Sequence, residues 1–286
     1  MDKLKAKKRH PEEIAVYSAI YVCAAFSVLL LLGIIVYVFA KGARRVNWAF
    51  LTGVTSILHG TVGIAGNILN TLIIILLTMI ITTPIGVGAA IYLNEYAKPG
   101  KLVTVIIFAT ETLAGIPSII FGLFGMLFFG QLCHMGYSLL TGSLTLTLMV
   151  LPLVTRNTQE ALKTVPDSFR TGAVGLGAGK WYTIRTILLP SAMPGIVTGV
   201  ILAIGRIIGE SAALLFTAGS AHLLPKTFNA FLEKIFHSGG TLTIQLYLSA
   251  SKGEFDVAFG IAVVLLVIVL LINFGTKRLA KKLEKH

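Results

Sequence analysis

From Ile14 to Ala40 the chain carries no Asp, Glu, Lys or Arg, and from Val46 to Asn94 it again carries no formal charge. A helix needs about 20 mostly apolar residues to cross the hydrocarbon core of a bilayer, so each run is long enough to span. No soluble fold can hide so much apolar chain. Charged residues make up 13% of the sequence and hydrophobic residues 55%, against roughly 25% charged in ordinary soluble domains. The same excess excludes intrinsic disorder, which requires low hydrophobicity. The net charge of +12 would suit a nucleic-acid binder, but the basic residues fall between apolar runs, where they set topology. The first run is too long for a signal-peptide core and lacks a small-residue cleavage site, which predicts an uncleaved anchor. Cys23 and Cys133 lie in apolar runs and indicate neither a disulfide framework nor a metal site.

The pattern predicts an all-α, polytopic membrane protein with six transmembrane helices. A basic tail (1–13) precedes the first span (14–40). Residues 41–66, with Gly53, Ser56, His59, Gly60, Gly63 and Gly66, form an outer or interfacial segment. The second span covers 67–93. The third covers 102–129 and holds one acid, Glu111, and Pro117, which removes a helical donor and kinks it. Gly115, Ser118, Gly122 and Gly125 on that span allow close helix contact. A turn at 131–142 leads to the fourth span, from 143 to 155 or further. The fifth covers 195–218, entered through Pro190 and Pro194, and the sixth 257–276, followed by a basic tail (277–286). With both termini inside, 17 of the 24 Lys and Arg lie on inner segments and 6 on outer ones. Basic residues favour the cytoplasmic side, so both ends are expected there, with Arg156 as a solvated anchor at the inner end of span four. Lys41, Arg44 and Arg45 run against that rule.

Gly175, Gly177 and Gly179 before Lys180 suggest a phosphate-cradling loop, but the required first glycine is Val174 and Trp181 stands where Ser or Thr should hold Mg²⁺. No nucleotide site is visible, no histidine has ligand spacing, and no cofactor is expected. The 35 or so residues from Arg156 to Pro190 are long for a connection without structure of its own. Phe169–Gly177 has helical character ended by glycines. Such a segment is either a solvated connector or a docking surface for a soluble partner.

That segment resembles the coupling loop of ABC importer permeases, whose pattern is E-A-A-x3-G-x9-I-x-L-P. Gly177 is followed at the required spacing by Ile187, Leu188, Leu189 and Pro190, whereas Thr171, Gly172 and Ala173 stand where Glu-Ala-Ala is usual. Three further strings are similar to PstA-type phosphate-importer permeases: Ala90–Tyr96, Glu111–Leu123 and Gly205–Thr217. The proline usual after the Glu210 motif is Ala213 here, which removes one reason for a local kink. The resemblance implies the type-1 ABC importer permease fold over residues 67–276 and a role as permease subunit in phosphate import, not as an enzyme. The loop at 156–190, through Arg170, Thr171, Gly172, Ala173, Gly177, Ile187, Leu189 and Pro190, would place a short helix on the ATPase subunit. The implied partners are a sister permease (PstC type), two copies of a cytoplasmic ATPase (PstB type), an outer-face phosphate-binding protein (PstS type), inorganic phosphate and the lipid membrane. Residues 219–256, with Lys226, Lys234 and Lys252, are the candidate surface for the binding protein. A permease for another oxyanion or small solute, or a non-conducting sensor or scaffold, stays open.

Charge within the spans is the remaining signal. A central Arg or Asp costs roughly 2.5–3.5 kcal/mol on insertion scales, so Arg206, Glu210 and Glu111 must face a bundle interior or a watery path. Arg206 and Glu210 are four apart, on one helical face, and able to pair. Either they neutralise each other, or Arg206 offers a planar, permanently charged fork to a passing anion while Glu210 holds the fork when the path is empty. Glu111 either bonds a neighbouring helix or lines the same path.

Overall fold

A computed structural model describes residues 11–56, 61–225 and 227–283. Among the described residues, thirteen α-helices follow one another in chain order: α1 (Pro11–Gly42), α2 (Trp48–Thr52), α3 (Ala65–Ile91), α4 (Lys101–Gly115), α5 (Ser118–Gly125), α6 (Leu139–Lys163), α7 (Asp167–Gly175), α8 (Lys180–Thr183), α9 (Leu189–Gly209), α10 (Ala212–Thr217), α11 (Phe228–Glu233), α12 (Leu242–Ser251) and α13 (Phe255–Leu283). π-turns extend α3 through Tyr92–Tyr96, extend α5 through Met126–Leu132, and join α8 to α9 through Ile184–Leu188. Five helical stretches are long and apolar enough to cross a membrane: Ala15–Arg45, Ala65–Tyr96, Leu139–Lys163, Lys180–Gly209 and Phe255–Arg278. A bent pair, Lys101–Gly115 and Ser118–Leu132, meeting at 104°, makes a sixth when the two halves are counted as one span.

Span three is therefore broken outright, beyond the kink the sequence predicts. Pro117 has no N–H to donate, and steric clash pushes the residue before it out of the helical region. Ile116 sits at φ −73°, ψ 131°. Span four starts earlier than expected and runs on to Lys163, so Arg156 belongs to the helix rather than to a loop. Span five is shifted: its helical run starts at Lys180 and stops at Gly209, not Ala218. Pro190 is tolerated because it falls in the first turn of α9. Residues 41–66 are not wholly irregular, since Val54–Ser56 (β1) and Thr61–Ile64 (β2) form an antiparallel hairpin with Val54 opposite Ile64. His59 and Gly60 lie outside the described residues, as do 1–10, Lys226 and 284–286.

The core forms where α3, α6 and α9 pack side by side, with Ile74, Leu146, Val150, Val154, Ala203, Ile207 and Leu214 buried. Between membrane helices, close backbone approach through small residues replaces the hydrophobic drive available in water. A Cβ on Gly86 would stand 2.9 Å from Val154 Cγ1, one on Gly122 2.8 Å from the Ala213 Cα, and one on Gly125 2.0 Å from Thr145 Oγ1. Gly115 has nothing within 4 Å, so of the small residues expected to permit close contact it is an exception. Threonine in α6 is compatible with burial because its hydroxyls donate back into their own helix, Thr145 to the Thr141 carbonyl at 2.8 Å and Thr147 to that of Ser143 at 2.9 Å. At the start of α3, the amides of Asn67 and Asn70 both donate to the Gly240 carbonyl at 3.0 Å, tying residues 239–242 to the bundle.

Candidate functional site

A cavity of about 250 Å³ opens beside α4, α6 and α9, lined by Thr110, Glu111, Ala114, Met149, Pro152, Leu153, Arg156 and Arg206. The α6 members recur at 149, 152, 153 and 156, which is one helical face. Arg206 comes from the last turn of α9 and Glu111 from α4. Two of the three charges singled out in the sequence thus share one cavity. Arg206 and Glu111 are both exposed, and neither forms an ion pair or side-chain hydrogen bond among the described residues. Arg156 is the member that sequence reading missed. Its Nε donates to Glu160 Oε1 at 3.2 Å, leaving its terminal nitrogens with no partner among the described residues. Two guanidinium groups and the Glu111 carboxylate line the cavity, and Glu160, just outside the lining, offsets part of the Arg156 charge.

Glu210 is elsewhere. The expected pairing with Arg206 on one helical face fails because α9 ends at Gly209, and Glu210 at φ −82°, ψ 125° already lies outside the helix. Its carboxylate accepts from the Ala213 N–H at 3.0 Å and so caps the first turn of α10. Its carbonyl accepts from the Thr243 hydroxyl at 2.9 Å. The break between α9 and α10 exists although Ala213 replaces the usual proline; a carboxylate at the start of the new helix satisfies a free donor and replaces the missing ring as its organiser.

The segment after α6 carries a second constellation. Phe169 (48% exposed), Val174 (66%) and Leu176 (91%) place apolar surface on or beside α7, outside the spans. Thr171 and Gly172 are exposed, Ala173 is buried, and Gly177 closes the helix at φ +80° in the left-handed region that favours glycine. Ile187 and Leu189 are half-buried and Pro190 exposed. Arg170 turns towards its own chain rather than outward. Its Nη2 donates to Glu95 Oε1 at 2.9 Å and to the Leu162 carbonyl at 3.0 Å, and its Nη1 to Asp167 Oδ1 and the Val165 carbonyl, both at 3.0 Å. The guanidinium is charged at any working pH, and the bonds to Glu95 raise it further above its ordinary value. Among the basic residues expected on the far side, Lys234 is buried and its Nζ donates to the Leu223 carbonyl. It is not part of an open surface; Lys252 is exposed, and Lys226 lies outside the described residues.

A broken span, a charged cavity between helices and exposed apolar side chains on and beside α7 belong to a polytopic membrane protein. Residues 82–286 match the family of binding-protein-dependent transport system inner membrane components, and the chain belongs to that family as a multi-pass inner-membrane permease subunit of an ABC importer. It is 36% identical over 273 residues to the probable ABC transporter permease protein YqgI of Bacillus subtilis, covering 92% of this chain and 93% of the relative. It is 35% identical over 246 residues to the phosphate transport system permease protein PstA of Xylella fastidiosa, covering 84% of this chain and 82% of that one. A solved bacterial alginate ABC transporter aligns with TM-score 0.71 at 14% identity over 96% of each chain. The MetNI methionine ABC transporter aligns with TM-score 0.58 at 21% identity over 77% of this chain and 94% of that one. These two likenesses concern the fold alone.

Proposed function

We propose that this chain is the permease subunit of an ATP-driven importer of inorganic phosphate. The observation that carries the reading is the cavity in which Arg206 and Arg156 stand with Glu111 at the open face of α4, α6 and α9. Guanidinium forks match the oxygens of a tetrahedral anion, and the Glu111 and Glu160 carboxylates beside them keep binding weak enough for release, as conduction requires. The relatives named for phosphate transport support the same solute. Both termini are assigned to the cytoplasm, which puts α7 on that side, where its exposed apolar residues dock on an ATPase. A sister permease supplies the missing wall of the cavity, two ATPase copies supply the hydrolysis, and a binding protein delivers phosphate at the outer face. Glu210, a cap of α10, shapes the path without touching the anion.

Uptake of labelled phosphate in cells lacking only this chain tests the reading. Import should be lost and return with the wild-type gene; unchanged import would point to a sensor or scaffold. Nothing in the cavity lining excludes sulfate or a phosphonate, so competition by each belongs in the same assay, and stronger inhibition by one of them than by unlabelled phosphate would reassign the solute.

A further inference from the structure

The Glu95 side chain is 8% exposed and lies in the π-turn that closes the α3 span. The Asn94 side-chain amide donates to its Oε1 at 2.7 Å, and Arg170 reaches it from 75 residues away through both Nε and Nη2. A second link lies alongside, where Lys180 Nζ sits 4.7 Å from the centre of the Tyr96 ring. α7 packs chiefly on α8 and the turn at Ile184–Leu188, the stretch that follows it directly in the chain. Among the described residues, Arg170 supplies every hydrogen bond from α7 to a span: to Glu95 in the π-turn closing the α3 span and to the Leu162 carbonyl in α6. A buried carboxylate gripped by a two-point guanidinium resists both separation and sliding, because pulling the pair apart leaves an uncompensated buried charge.

We propose that Glu95 is the receiving end of the drive from the ATPase: gripped by Arg170, it carries displacement of α7 into the α3 span, and through the α3–α6 interface to the cavity that Arg156 lines. This rests on the reading of residues 156–190 as the coupling loop. Glu95 is a positioning residue. It holds no solute and no nucleotide, and its contribution is stiffness between α7 and the bundle. The usual coupling glutamate is replaced by Thr171, which the structure leaves exposed; the internal Arg170–Glu95 grip is then what remains of charged fastening on this helix.

The test uses the whole transporter, with sister permease, ATPase and binding protein, reconstituted in liposomes loaded with ATP. Three quantities are read: ATPase retained on the permease, ATP hydrolysed, and phosphate imported per ATP. Glu95→Gln should keep the ATPase bound and its basal hydrolysis intact while import per ATP falls at least fivefold. Glu95→Asp, which keeps a carboxylate for Arg170, should retain at least half of the wild-type import per ATP. Wild-type import per ATP in Glu95→Gln overturns the proposal, and so does loss of ATPase binding, which would make Glu95 part of the docking surface. Should the single variant fail to assemble, Arg170→Lys, which keeps the charge but loses the two-point grip, decides: import per ATP at least fivefold lower with the ATPase bound supports the proposal, and wild-type import per ATP overturns it. Val174→Asp on the exposed side of α7 separates this from the underlying reading. If that variant leaves ATPase binding untouched, the loop is not the docking element, whatever Glu95 does.

Discussion

Arg206 and Lys234 are both long cations, and opposite surroundings give them opposite roles. Arg206 borders a cavity with no partner among the described residues. Arg206→Ala should lower phosphate uptake by about tenfold or more, the scale of one charge-assisted hydrogen bond, with assembly and ATPase docking unchanged. Arg206→Lys, which keeps the charge but loses the fork, should fall between. Labelled-phosphate uptake by the reconstituted complex checks both, and wild-type uptake by Arg206→Ala would remove the residue from the path. Lys234 is enclosed, and burial pushes its ammonium below the ordinary lysine value. Below that lowered pKa both folded and unfolded chains are charged, so the desolvation cost is present in full. As pH rises through it, the folded chain sheds a proton that the unfolded chain keeps, so stability rises until the ordinary value of about 10.4 is reached. Thermal unfolding in detergent should therefore show a stabilising slope over that alkaline window, and Lys234→Gln should flatten it. Charge in an apolar run was enough to mark Arg206 and Glu111 from sequence. Arg156 escaped because it follows the apolar part of span four, where an arginine reads equally well as a topological anchor. Its spacing from Met149, Pro152 and Leu153 was the signal that it shares their face.

Helices here are made by hydropathy but positioned by their interruptions. Spans one, two and six are legible because a bilayer imposes length and apolarity on each crossing element. Pro117 made the interruption in span three visible, though not its angle, which depends on what α5 packs against: Gly122 on α10 and Gly125 on α6. The break at Gly209–Ser211 left no comparable mark, since the groups that stabilise it are the Glu210 carboxylate on Ala213 and the Glu210 carbonyl on Thr243, contacts that hydropathy does not encode. Reading 195–218 as one helix put Arg206 and Glu210 on a face that does not exist. The glycines of span three give this a direct measure. Gly125→Ala places a methyl 2.0 Å from Thr145 Oγ1, whose own bond to Thr141 must then be disturbed, and should cost about 1–3 kcal/mol as overpacking. Gly115→Ala enters open space and should be neutral or slightly stabilising. Thermal stability of the purified variants decides; equal effects at the two positions would mean that α5 is not seated against α6 as described.

At the scale of the molecule, two kinds of surface are left uncovered. α4 has no buried residue, the apolar window of the first span is wholly unburied, and the cavity holding Glu111 and Arg206 is open on one side. In lipid alone the first two would be acceptable, since apolar side chains can face acyl tails. Exposed Glu111 and Arg206 are not, because a charge facing hydrocarbon carries a cost that only water or a protein wall removes. The geometry thus separates two kinds of exposed surface: α1, which lipid can cover, and the α4–α6–α9 opening, which calls for water or a protein wall. Liposomes containing this chain with the ATPase and binding protein, but without a sister permease, should import no phosphate above protein-free liposomes. Adding the sister permease should restore import. A cysteine placed at Thr110, on the rim of the opening, should react with a water-soluble thiol reagent in this chain alone, in a background where Cys23 and Cys133 are replaced by serine. In the assembled pair its reaction should slow by about tenfold or more, as a wall closes over the opening and limits reagent access. Equal reactivity in the two states would mean that the second permease covers some other face, and that the cavity is not the shared path.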